Sequence, residues 1–209
     1  VYKRQLLLVV LTFAACEKDP DTDKLDNKYL VYTNYDTKAD FKAFQTYYMP
    51  DSILIIGDKK EAEYWKDESA QEILQAYATN MNNRGFVRVD DREEANLGLQ
   101  VSYIKSTYYF NDYGRPEWWW NYPGYWDAPY WGNWGGWYYP YAVTYSYSTN
   151  SFITEMVNLK ADEGEGKKLP VIWTSYLTGF ETGSKAINRT LAIEAVNQSF
   201  TQSPYLTNK

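Results

Sequence analysis

Four carboxylates, Glu117, Asp127, Glu155 and Asp162, are the groups from which this chain could assemble acid–base chemistry on a glycosidic bond. That chemistry needs a proton donor and a second carboxylate held roughly 5 to 9.5 Å apart. Nothing in the spacing of the four fixes two of them at that separation. The chain has no histidine, and its only cysteine is Cys16. Ser-His-Asp and Cys-His nucleophiles need an imidazole base, and structural zinc needs His or Cys ligands. Those chemistries are excluded, as is a disulfide within one chain. No glycine-rich phosphate-binding motif occurs either. No cofactor and no metal site are expected, and the leading expectation is a non-catalytic role. A carboxylate-dependent glycan hydrolase is the enzymatic alternative.

A second chemistry is concentrated in WWWNYPGYWDAPYWGNWGGWYYPY, residues 118–141. Seven of the nine tryptophans lie there: Trp118, Trp119, Trp120, Trp126, Trp131, Trp134 and Trp137. Each aromatic side chain can bury about 150 Å² or more, so residues 108–141 carry roughly 2,500 Å² of largely aromatic surface. A soluble monomer rarely exposes more than a few hundred Å² of contiguous apolar patch. The segment must therefore fold onto something, and its glycines and prolines favour successive turns over a long helix. Three roles stand open. The rings can cover an open sheet face. They can form a platform that stacks on sugars, with Asn121, Asp127 and Asn133 bonding the hydroxyls. They can also contact a membrane interface or another envelope protein. Nucleic acid is not expected as a partner, because Arg115 is the only basic residue in the segment and the chain is acidic, with a formal charge of −6.

The N-terminus supplies an address. Lys3 and Arg4 precede an apolar run from Leu6 to Phe13, and Ala14-Ala15 stand before Cys16. That order reads as a secretory signal over residues 1–15, and the run is too short for the roughly 20 residues of a spanning helix. The stretch TFAAC resembles a bacterial lipobox, with Phe13 where Leu is usual. Cys16 is therefore expected to carry the acyl chains that hold the mature protein on the outer membrane, facing the periplasm or the cell surface. Residues 16–27 are polar and acidic and read as a flexible tether. Asp51-Ser52-Ile53 resembles a short O-glycosylation motif of exported bacterial proteins, which makes Ser52 a candidate acceptor.

Residues 28–205 must then supply the fold. KYLVYTNYD alternates as a strand, and a second strand lies around Gln45 to Met49, which SILIIG can extend. SAQEILQAYATNMNN sets Ile73, Leu74, Tyr77 and Met81 on one helical face, with Ser69 as cap and Gly85 as left-handed stop. FVRVDD is a short strand. In the longer one that follows, Leu97, Leu99, Val101 and Tyr103 point to one side. AVTYSYS and SFITEMVNLKA read as a hairpin turning at Thr149-Asn150, and LPVIWTSYLTG as another strand. A last helix aligns Ile187, Leu191, Ala195, Val196 and Phe200. The expected architecture is α+β: about six mostly antiparallel strands, two amphipathic helices on one face, and a long aromatic-rich insert at 108–141.

In that order, NYDTKADFKAFQTYYM, NNRGFVRVDDREEANLGLQVSY, FITEMVNLKA, VIWTSYLTG and INRTLAIEAV resemble the DUF4136 family of Bacteroidetes-type bacterial lipoproteins. The resemblance runs over most of residues 29–204. It implies an envelope location and an α+β fold. It implies no activity and lends no site residues.

Overall fold

The structure, a computed structural model, describes residues 29–57, 61–105, 137–141, 150–161, 168–180 and 183–209. Among these residues the chain forms β1 (Leu30–Tyr35), β2 (Thr46–Tyr48), β3 (Ile53–Ile56), β4 (Glu63–Trp65) and α1 (Glu68–Asn83). There follow β5 (Val87–Arg88), β6 (Leu97–Ile104), β7 (Trp137–Tyr138), β8 (Ser151–Asn158), β9 (Leu169–Thr178) and α2 (Lys185–Thr201). The α+β class holds, with two α-helices among the described residues.

The sheet differs from the expected one in size and sense. Its nine strands run in the order β1-β9-β8-β6-β2-β5, with β3 and β4 branching from β6 and with β7 on β9. The long central pairs are antiparallel, but β2–β5, β2–β6, β3–β6 and β7–β9 are parallel. The cause is α1. A parallel pair needs a crossover of a dozen or more residues, and a helix between strands provides one. SILIIG does continue the line of β2 along β6, since Tyr47 pairs with Leu97 and Leu54 with Ser102. It does so as a separate strand after an interruption at residues 49–52. The hairpin expected at Thr149-Asn150 is not how β8 is paired, because β6 and β9 occupy its two sides. Residues 142–149 lie outside the described residues.

The central strands are buried on both faces, as sheets covered on two sides are. On one face, Leu97, Leu99, Val101, Phe152, Met156 and Trp173 pack against Ile73, Leu74, Tyr77 and Met81 of α1 and Leu191, Val196 and Phe200 of α2. The helical faces read from spacing are the buried ones; the side chain of Ile187 lies outside the described residues. The cap of α1 is Asp67, two residues earlier than expected. Its carboxylate accepts the Ala70 N–H, which leaves Ser69 inside the first turn.

Where α1 crosses β8, the Tyr77 hydroxyl bonds Thr154 Oγ1 at 2.6 Å, fully enclosed. Burial pushes the Tyr77 phenol up to about 12, opposed in part by the bond to Thr154. A neutral phenol is thus favoured by folding. Its contribution is complete below the ordinary tyrosine value of 10 and is lost as pH rises toward 12. Each such group removes at most about 1.4 kcal/mol per pH unit in that window. Tyr47 is raised to about 12 in the same way, by burial above all. Urea midpoints should therefore hold up to pH 10 and fall above it. The Tyr205 phenol is also pushed up by burial, so Tyr77→Phe should make that fall shallower without abolishing it, while costing about 1 kcal/mol at neutral pH for the unbonded Thr154 hydroxyl. An unchanged alkaline slope in this variant would remove Tyr77 as a cause.

Candidate functional site

The opposite face of the sheet carries a line of polar residues. In register, Asn34 of β1 faces Thr174 of β9, Thr174 faces Glu155 of β8, and Glu155 faces Gln100 of β6. Glu155, Thr174 and Gln100 are buried, Glu155 completely. The end of the aromatic insert lies over them. Trp137 and Tyr138 run parallel to the start of β9, opposite Leu169 and Pro170. Trp137 is fully buried among Leu54, Ile104, Ile153, Val157 and Val171, flanked by half-buried Tyr138 and Tyr139. The Tyr139 hydroxyl donates to Glu155 Oε1, and the Tyr141 hydroxyl to Thr174 Oγ1 at 3.4 Å. This strap, residues 137–141, covers the face with rings and bonds Glu155 and Thr174 of its polar row through phenols.

The helical face instead opens into a cleft of about 550 Å³ at one end of the sheet, where α1 and α2 both begin. Its aromatic lining comes from Trp65 at the end of β4, Tyr103 near the end of β6, Phe152 near the start of β8, and Phe180 just after β9. These rings hold one another. Trp65 meets Tyr103 edge-on at 5.7 Å and lies nearly parallel to Phe152 at 6.2 Å, while Phe152 meets Phe180 edge-on at 5.6 Å. Two hydrogen bonds lock the outer rings. Trp65 Nε1 donates to Asp67 Oδ1 at 2.6 Å, and the Tyr103 hydroxyl donates to Asn150 Oδ1 at 2.6 Å. Asn150 sits in the left-handed region, with φ of 57°, at the turn into β8. Lys105, Lys185 and Arg189 are the cations of the lining, and Asp67 is its one carboxylate among the described residues. Arg189 is bound to Glu72 at 3.2 Å.

The sequence-derived candidates fall in different places. Trp137 is core, not an open stacking surface, and it is corrected on that ground: no ring face of a fully enclosed indole is free for a sugar. Glu155 is enclosed beneath the strap, on the face of the sheet away from the cleft, and holds a tyrosine rather than a second carboxylate. Ser52 counts against the acceptor reading, since it is 2% exposed with its hydroxyl turned inward at the bend before β3. Cys16, Trp118, Trp119, Trp120, Trp126, Trp131 and Trp134, Asn121, Asp127 and Asn133, and Glu117 and Asp162 lie outside the described residues. Among the described residues no helix is long and apolar enough to cross a membrane, and no group of His, Cys, Asp and Glu is placed to hold a metal ion. The cleft itself was missed from sequence. Its one local signal is Trp65, a tryptophan outside the aromatic segment, set two residues before an aspartate that starts a helix.

Two proteins of solved structure are similar to this chain, the first of them in both sequence and architecture. A crystal structure of a DUF4136 family protein from Bacteroides thetaiotaomicron VPI-5482 is 75% identical, covers 88% of this chain and 100% of its own, and superposes with a TM-score of 0.81. A PelC dodecamer from Paraburkholderia phytofirmans is 11% identical over 87% of this chain and 99% of its own, with a TM-score of 0.41. A search of the curated proteins finds no match. The family described as a domain of unknown function, DUF4136, matches residues 31–205. The chain therefore belongs to the DUF4136 family.

Proposed function

We propose that this protein is a non-catalytic binding module of the cell envelope, held on the outer membrane by acyl chains on Cys16, with its ligand seat in the cleft between α1, α2 and the sheet end. One observation carries the reading: a cleft of about 550 Å³ whose aromatic wall is already fixed by hydrogen bonds. That volume lies within the range of about 300 to 1,000 Å³ typical of small-molecule sites. Rings that are locked before binding lose little freedom on binding, so their contact energy is retained as affinity. The sole carboxylate of the described lining, Asp67, is engaged by the Ala70 N–H and the Trp65 indole. Among the described lining residues no second carboxylate stands opposite it, which supports binding over glycoside hydrolysis.

The test uses the acylated protein in washed membranes. Wild-type protein should stay with the membrane in high salt, and Cys16→Ala protein should leave it. Titrated with a glycan panel, the membrane-bound protein should show saturable quenching of tryptophan fluorescence without cleavage of the ligand. Trp65→Ala should weaken that binding about three- to tenfold, the scale of one aromatic contact. Membrane retention of the Cys16→Ala form, or release of a cleaved glycan, would overturn the corresponding half of the proposal.

A further inference from the structure

Resting on the cleft as the ligand seat, the charge around it assigns a ligand class: we infer that the cleft takes an acidic sugar, a ring stacked on Trp65 and Tyr103 with its carboxylate toward Lys105 and Lys185. Four observations converge. The chain as a whole is acidic, with a formal charge of −6, yet the described cleft lining holds three cations and one carboxylate. The ammonium groups of Lys105 and Lys185 are exposed and make no ion pair among the described residues, unlike Arg189, which Glu72 occupies. Both helices begin at the cleft, so the positive ends of two backbone dipoles face it. At α1 that end is already met by Asp67 and Glu68, but the first turn of α2 contains no acidic residue. Among the described residues the positive field is therefore focused on the α2 side, where Lys185 sits.

The rest of the lining selects a ring with hydroxyl groups over a hydrocarbon chain. Trp65 and Tyr103 are half-buried and leave ring surface at the cleft, whereas Phe152 and Phe180, at 3% and 4% exposure, form its floor. The lining also includes the polar residues Ser69, Asn150 and Asn188. A fatty acid would leave these polar groups facing methylenes, and a sugar would not. Aromatic faces also match the C–H faces of pyranose rings, as the wall of a sugar site requires.

The experiment is calorimetry on the full chain with three probes: a galacturonate trisaccharide, the matched neutral galactose trisaccharide and octanoate. Uronate is expected to bind, the neutral sugar at least tenfold more weakly. Lys105→Gln combined with Lys185→Gln is expected to weaken uronate binding roughly tenfold, the scale of charged hydrogen bonds, with the melting temperature unchanged because both side chains are exposed. Raising salt should weaken uronate binding in the wild type and not in the double variant. Equal affinity for the neutral and acidic sugars, or no effect of the lysine changes, overturns the assignment of charge. Binding of octanoate with neither sugar overturns the assignment of a sugar. In those outcomes the seat survives if Trp65→Ala still weakens whatever binds. Absence of binding by all three probes overturns the ligand class, and only a null result across the wider glycan panel removes the seat as well.

Discussion

Trp137→Ala is expected to destabilise the folded chain by about 3 to 5 kcal/mol, the usual cost of deleting a fully enclosed aromatic side chain. For a domain of this length, that corresponds to a fall in melting temperature of about 10 °C. The reason is location. Trp137 has no exposed surface and fills the space between β9, the polar row and the apolar residues Leu54, Ile104 and Val157. Its neighbours in the strap bond Glu155 and Thr174. Truncation thus opens a cavity and loosens the segment that donates a hydrogen bond to a buried carboxylate, whose desolvation is costly without a partner.

The same substitution separates two of the roles open to the aromatic insert. A tryptophan on an exposed platform contributes little to folding, so its loss would move the melting temperature by about 1 °C or less. Differential scanning calorimetry on the full chain decides between them. Trp137→Phe should recover more than half of the loss, since a ring refills most of the volume. A platform would show no such gradation. A small effect from both changes would mean that the strap is not part of the core.

How much of this was legible in the sequence depended on whether a signal is local. The helical faces were legible, because the spacing of Ile73, Leu74, Tyr77 and Met81 has only one geometric solution on a regular helix. So was the shared face of Leu97, Leu99, Val101 and Tyr103 on β6. The sense of the strand pairs was legible in principle from the helix standing between β3 and β5, but not from any strand itself. β9 was legible as a strand and illegible in register. Met156 pairs with Trp173, whereas the next residue, Val157, pairs with Val171, so Ile172 is an extra residue. This bulge places Ile172 and Trp173 with the helical-face core and Val171 under the strap. A run as uniformly apolar as LPVIWTSYL contains no mark of that switch. The strap end of the insert was read as one of several open roles; β7, a strand of two residues after Gly135-Gly136, carries no periodicity to resolve them. The cleft was the least legible feature. Its rings come from Trp65, Tyr103, Phe152 and Phe180, which only sheet register brings together.

Gly85→Ala is the second large effect, about 2 to 4 kcal/mol, and it comes from backbone rather than from core volume. Gly85 ends α1 at φ of +94°, where side chains with a Cβ are strained. Its N–H reaches Asn82 O at 2.9 Å, and the Phe86 N–H reaches Met81 O at 3.1 Å, the paired bonds of a Schellman turn. Met81 and Phe86 are both buried across that turn, so the chain cannot open it without exposing them. A residue other than glycine in left-handed backbone costs about 1 to 2 kcal/mol. A Cβ at this site would also lie 1.9 Å from Asn208 Oδ1 and 2.9 Å from its Cγ, which no contact tolerates. Asn208 is held there by its own bonds, from Nδ2 to Gly85 O at 2.7 Å and from N to Arg84 O at 3.2 Å. Alanine must therefore displace the C-terminal residues and lose those bonds, at about 1 kcal/mol each. Two further variants divide the total. Asn208→Ala alone should cost about 1 kcal/mol, and in its background Gly85→Ala should cost only the backbone strain. Equal penalties for Gly85→Ala with and without Asn208 would remove the C-terminal contact from the account and leave the left-handed turn as the whole cause.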